Sequence, residues 1–273
     1  MAIQFKQPLL DVIVRRVRPG WLRPLLLAYE RFGPLQNIGL PAGHRLSVIA
    51  PHPDDESIGC GGLIALWAQA GRSVEVIFLT QGEQGSRLVR DESRPLAERQ
   101  AAGAQLRATR RREATAALAR LGAEAVWCDG RDGALQQDEG RLADRLAAHW
   151  QASPPDILAA PFPADRHADH AVAARIASEA AATALPPGTE FLAYEVWSPL
   201  PANALLDITP VAGTKWQAIA EHASQTATTD YVAAAMALNT YRARSGGQAE
   251  GYAEAFHRTT AAGFAEICAR LKV

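Results

Sequence analysis

The stretch "PHPDDE", Pro51 to Glu56, follows the apolar run "LSVIA" and sets one imidazole and three carboxylates within six residues. Carboxylates this close repel one another. At the end of a buried strand they would cost several kcal/mol or take up protons unless a cation or hydrogen-bond donors met them. A second cluster, "PADRHADH", Pro163 to His170, follows another apolar run, "DILAAPF". His52 and Asp55 lie three apart on a turn stiffened by Pro51 and Pro53, so an imidazole and a carboxylate can face one point. His167 and His170, at the start of a helix, offer a further ligand. That completes the two-histidine, one-carboxylate set which holds a catalytic metal with a position left for water. Zinc is the ion expected of such a set, with another divalent transition metal as the alternative.

The remaining polar groups then find work. Asp54 adjoins Asp55 without being needed as a ligand, and is placed to take a proton from water. Asp169 can orient one of the histidines, and His167 can steady an oxyanion or protonate a leaving amine. The chemistry is metal-assisted hydrolysis. Either motif alone is ordinarily a solvated turn or a surface helix, and only their joint position after two strands of one sheet gives them weight. His44, His149, His222 and His257 have no acidic or histidine neighbour at ligand spacing, which assigns them to surface or core. "GCGG", Gly59 to Gly62, departs from G-x-G-x-x-G and no phosphate-loop lysine follows, so its glycines are expected to let a helix approach a strand closely.

Such residues need a frame. From residue 46, apolar β-branched runs ("LSVIA", "VEVIFLT", "AVWC", "DILAAPF", "FLAYEVW") alternate with alanine-rich segments of helical period, the rhythm of a parallel sheet with helices on both faces. Five or six strands are expected. Ligands bind outside the carboxyl ends of such strands, where "PHPDDE", "QGEQG", "DGRDG" and "PADRHADH" all fall. Residues 1–44 stand apart with their prolines and arginines. Residues 210–273 read as helices after a last strand, "LLDIT".

The chain has 273 residues, 48% of them hydrophobic, enough for one large α/β domain, and 28 basic against 29 acidic residues argue against holding nucleic acid by bulk charge. The three cysteines are widely spaced, fit neither a disulfide framework nor a thiolate zinc site, and suit a reducing compartment. No apolar run is long enough to cross a bilayer, and the N-terminus reverses the order of a secretory signal. A cytoplasmic location is expected.

At these residues the chain resembles the PIG-L/LmbE family of zinc-dependent N-deacetylases, whose signatures, (A/S/P)-H-P-D-D-E and H-x-D-H, stand here as "PHPDDE" and "HADH", with Ala168 replacing the usual proline. The resemblance covers about residues 46 to 200 and implies a Rossmann-like three-layer α/β sandwich with a mostly parallel sheet. Residues 45–273 would form one LmbE-like deacetylase domain, with residues 1–44 as an extension packing on it. It also implies that His52, Asp55 and His170 are the zinc ligands, Asp54 the general base and His167 the catalytic histidine. The family's R-x-x-E helix and D-G-x-L turn, which meet the sugar, match Arg110 with Glu113 in "RRRE" and Asp132 in "RDGAL". "YEVWSPLPAN" and "DYVAAAMALNTYRARSGG" resemble the branch found with bacterial glycoconjugate and polysaccharide assembly.

The implied reaction removes the N-acetyl group of an N-acetylglucosamine-type sugar, giving acetate and a free amine. The rivals are an amidase on another N-acyl amino-sugar conjugate, such as a thiol conjugate or an antibiotic, and a non-catalytic sugar-binding relative. Against the latter stand the intact Asp54 and both histidines. The segment Phe5 to Leu35 mixes Lys6, Arg15, Arg16, Arg18 and Arg23 with leucines, valines and Trp21. It is expected to pack against an open flank of the sheet, because apolar stripes usually face a core and Pro19 and Pro24 break it into short pieces. The alternative is peripheral contact with the inner membrane beside a lipid-linked substrate.

Overall fold

The computed structural model of the chain describes residues 35–271. The apolar runs become strands: β1 (Gln36–Ile38), β2 (Arg45–Ala50), β3 (Ser73–Thr80), β4 (Glu124–Gly130), β5 (Ile157–Pro161), β6 (Glu190–Tyr194), β7 (Ala204–Asp207) and β8 (Ala253–Thr260). They form one sheet in the order β1-β7-β8-β6-β5-β2-β3-β4. From β6 through β5, β2 and β3 to β4 every pairing is parallel, whereas β8 runs antiparallel to β6 and β7. The inner parallel strands β2, β3, β5 and β6 are buried along nearly their whole length because helices cover both of their faces, whereas β4 at the edge is partly exposed. On one face lie α1 (Asp55–Gln69), α3 (Leu96–Leu121) and α6 (Ala212–Glu221). On the other lie α4 (Glu139–Ala152), α5 (Ala168–Ala184) and α9 (Ala261–Leu271). Short helices α2 (Arg87–Arg90) and α7 (Ala223–Thr226), with the longer α8 (Tyr231–Ser245), complete the set among the described residues.

Two expectations change. The sequence reading made residues 210–273 helical, yet β8 lies there, between β6 and β7. Its pattern is disguised by Glu254, which is fully buried and salt-bridged to Lys215 Nζ at 2.7 Å, so no alternation of apolar and polar residues marks the strand. Residues 35–44 had been set apart from the domain, yet they carry β1, which pairs in parallel with β7 at the sheet edge. Residues 1–34, which hold nearly all of the basic and apolar segment weighed for membrane contact, lie outside the described residues.

The "GCGG" glycines do bring α1 close to its neighbours. The helix kinks at Cys60 (φ −141°), and the N–H groups of Gly62 and Leu63 donate to Glu254 Oε1 and Oε2 at 2.7 and 2.8 Å. A Cβ on Gly59 would lie 2.6 Å from Tyr194 Cε2 and 3.1 Å from the carbonyl oxygen of Glu195. Tyr194 cannot swing aside, because it is buried and donates its hydroxyl to Ile49 O at 2.6 Å. Gly59→Ala is therefore expected to destabilise the fold by about 1–3 kcal/mol through overpacking. An unshifted denaturation midpoint would refute the close approach.

Candidate active site

The turn between β2 and α1 builds the first half of the site. Asp54, the residue before α1, has φ 136°, a conformation that costs a non-glycine residue about 1–3 kcal/mol unless its surroundings enforce it. They do so from two sides. Its N–H donates to Glu56 Oε2 at 3.0 Å, and its carboxylate lies 3.1 Å from Arg110 Nη2. Arg110, from α3, also donates to Gly82 O at 3.0 Å and Pro53 O at 2.5 Å, so one guanidinium joins the turn to the loop after β3. The glycines of "QGEQG" make room for it, since a Cβ on Gly85 would lie 2.7 Å from Arg110 Nη1 and one on Gly82 2.7 Å from Nε. Burial pushes Asp54 up to about 6, against the pull of Arg110. Glu113 forms no pair with Arg110 along the helix. It accepts instead from the N–H and hydroxyl of Ser224 at 2.8 and 2.7 Å.

Asp55 Oδ2 lies 3.1 Å from His52 Nδ1 and 3.2 Å from His170 Nε2, so the three residues meet at one point from two strand ends. On the far side of the ring, His52 Nε2 faces Asp132 Oδ1 at 3.1 Å and Asp169 Oδ2 at 3.2 Å. Asp169 is fixed in turn by the N–H groups of Gly133 (2.7 Å) and Leu135 (3.2 Å), and Asp132 by that of Gln84 (2.7 Å). Among the described residues, two groupings bring one ligand atom from each member within 4.8 Å of the others: His52, His167 and His170, and His52, Asp132 and Asp169.

The donors suit a cation. His170 is completely buried, and neither of its ring nitrogens makes a hydrogen bond of proper geometry, although Asp55 and Asp165 stand 3.2 and 3.5 Å away. Burial alone would lower this imidazole, yet Asp55 and Asp165 outweigh it and lift it to about 9. His52 is likewise raised against its burial by Asp132, Asp169 and Asp55. A cluster of carboxylates that draws protons onto two buried imidazoles is one that a divalent ion can neutralise in their place.

His167 caps the N-terminus of α5, where its Nδ1 accepts from the N–H of Asp169 at 3.3 Å. Its ring centroid is 4.8 Å from those of both His52 and His170. Burial, with His52 and His170 nearby, holds it below the usual histidine value. A cavity of about 280 Å³ opens here, bordered by His52, Asp54, Asp55, Arg110, Asp132 and His167. Asp169 and His170 do not border it. The expected residues thus converge, and Arg110 and Asp132, matched to sugar contacts, border the cavity while also bonded to Asp54 and His52.

Other contributors were not legible. Glu56 Oε1 accepts from Ser57 Oγ at 2.6 Å and faces Nε2 of the fully buried His222 at 3.3 Å, a pairing 166 positions apart that no spacing rule reveals. Asp165 receives the N–H groups of His167, Trp197 and Ser198. Its signal was its position just after β5, inside a motif already singled out for its histidines.

Residues 47–181 match the family model described as PIG-L, GlcNAc-PI de-N-acetylase. Over 170 residues the chain is 32% identical to the 1D-myo-inositol 2-acetamido-2-deoxy-alpha-D-glucopyranoside deacetylase of Nocardioides sp., a match to 52% of this chain and 55% of that protein. The chain thus spans about half the length of that relative. Among solved structures it resembles N,N'-diacetylchitobiose deacetylase from Pyrococcus horikoshii (TM-score 0.68, 24% identity, 90% of this chain and 94% of that one). It also resembles GalB, the 4-carboxy-2-hydroxymuconate hydratase of Pseudomonas putida (TM-score 0.66, 26% identity, 79% and 95%).

Proposed function

We propose that the chain, whose residues 47–181 match the PIG-L family model, is a metal-dependent hydrolase of that family that removes the N-acetyl group of an N-acetylglucosamine-type sugar in a glycoconjugate. The reading is carried by the meeting of His52, Asp55 and His170 at one point, with Asp54 beside them on the same cavity. Those three residues would hold the ion, zinc by preference, and a divalent ion there supplies Lewis acidity toward a carbonyl and acidifies water. Asp54, locked by Glu56 and Arg110, takes the proton of the attacking water. His167, across the cavity, steadies the negative charge that develops on the amide oxygen. The proton then reaches the leaving nitrogen from Asp54 or His167. Asp132 and Asp169 fix the ring of His52, as carboxylates behind a ligand histidine do. Arg110 and Asp132, both on the cavity wall, serve a second time toward the sugar hydroxyls.

The test is release of acetate and free amine from N-acetylglucosamine joined to inositol, nucleotide diphosphate, lipid diphosphate or oligosaccharide. Activity is expected on at least one member, lost on chelation and restored by zinc. Metal-loaded protein that releases no acetate across the panel would overturn the reading. A second reading, addition of water to a carbon–carbon double bond of a carboxylated substrate, draws on the likeness to GalB and uses the same base without a leaving amine. Hydration without acetate would select it. No helix among the described residues is long and apolar enough to cross a membrane. All three cysteines are free and buried, which fits the reducing, cytoplasmic compartment proposed for the chain.

A further inference from the structure

Two segments that the catalytic reading leaves unused meet at the wall of the cavity. Trp197 comes from "YEVWSP", just beyond β6, and Tyr231 opens α8 in "DYVAAA". Both border the cavity that holds His52, Asp54 and His167. Their rings pack edge to face, with centroids 5.4 Å apart and planes at 68°. Neither ring is buried in a core, and both are part-exposed.

The wall is built and held, not a chance of surface loops. Asp165 accepts from the N–H groups of Trp197 and Ser198 at 2.8 and 3.1 Å, and the same carboxylate receives the N–H of His167 at 3.0 Å. The tryptophan loop is therefore fixed to the backbone of the catalytic histidine. Behind it, buried Glu195 forms a two-pronged salt bridge with Arg242 of α8, the helix that begins with Tyr231, and also accepts from Leu200 N at 2.9 Å. One buried ion pair thus locks the loop that carries one aromatic ring to the helix that carries the other.

Resting on the deacetylase reading, we infer that Trp197 and Tyr231 form the specificity subsite that takes the apolar face of the sugar ring bearing the acetamide. Such rings offer apolar area with a polar tip at low entropic cost, which suits the C–H face of a pyranose. A cavity of about 280 Å³ falls just below the usual range for small-molecule sites, roughly 300–1,000 Å³. It holds one acetylated hexose ring and leaves the rest of the conjugate outside. The substrate class is then set by a cyclic amino sugar and not by any acetylated amine.

The test uses the full zinc-loaded chain with the methyl glycoside of N-acetylglucosamine, and variants Trp197→Ala, Trp197→Phe, Tyr231→Ala and Tyr231→Phe. Each alanine variant should raise KM for the glycoside by roughly 10-fold with kcat within about 3-fold, while the phenylalanine variants stay within about 3-fold in both. Saturation-transfer NMR should mark the pyranose ring protons in the unaltered protein and lose them in the alanine variants. Unchanged KM and saturation in both alanine variants, or no saturation of the ring protons in the unaltered protein, would overturn the inference. No acetate release with ring saturation intact would overturn the hydrolase reading and leave the subsite standing.

Discussion

Asp54→Asn is expected to retain its metal and lose roughly 1,000-fold or more in kcat, the scale of a lost general base. Asparagine keeps the shape of the side chain and an oxygen toward Arg110, so the turn stays closed, but it cannot accept the proton of water. Geometry separates Asp54 from the proposed metal ligands. It is Asp55 whose oxygen lies between the two imidazoles, while Asp54 turns to the guanidinium 3.1 Å away. The change also leaves Arg110 buried without a counter-charge, so some stability is lost with the activity. Arg110→Lys supplies the complementary variant. It should lower kcat more than it raises KM, because a lysine cannot bridge Asp54, Pro53 O and Gly82 O at once. Metal content and kcat measured together decide the first claim, and loss of metal in Asp54→Asn would show that base and ligand were misassigned.

Asp55→Ala is expected to lose metal and activity together. Its carboxylate lies within 3.2 Å of both His52 Nδ1 and His170 Nε2, and it accepts the N–H of His52 at 2.9 Å, so its removal would take away one proposed ligand and loosen another. A readout independent of turnover follows from linkage, since an ion that binds only the folded protein raises its melting temperature. Zinc added to metal-free unaltered protein should raise Tm, and the same addition to Asp55→Ala should not. A full equivalent of metal in Asp55→Ala, or an equal thermal response, would sink the assignment of His52, Asp55 and His170.

The chemistry-bearing pairs were legible because they are local. His52 and Asp55, or His167 and His170, are three residues apart and follow apolar runs that could only be strands, and a parallel sheet brings such strand ends to one rim. The parallel half of the sheet was legible for the same reason, since strands covered on both faces have no polar side to confuse the pattern.

What only the tertiary structure decided are contacts between segments far apart in the chain, where one residue's role depends on a partner the spacing does not announce. Glu254 hides β8 by carrying a charge into the core, tolerated there because Lys215 and two N–H groups of α1 satisfy it. The partner of Arg110 is Asp54 and not Glu113, because Gly82 and Gly85 leave space on that side for the guanidinium. His222 belongs beside Glu56, and Trp197 beside Tyr231, since burial and the cost of unpaired polar groups act through space and carry no period along the chain.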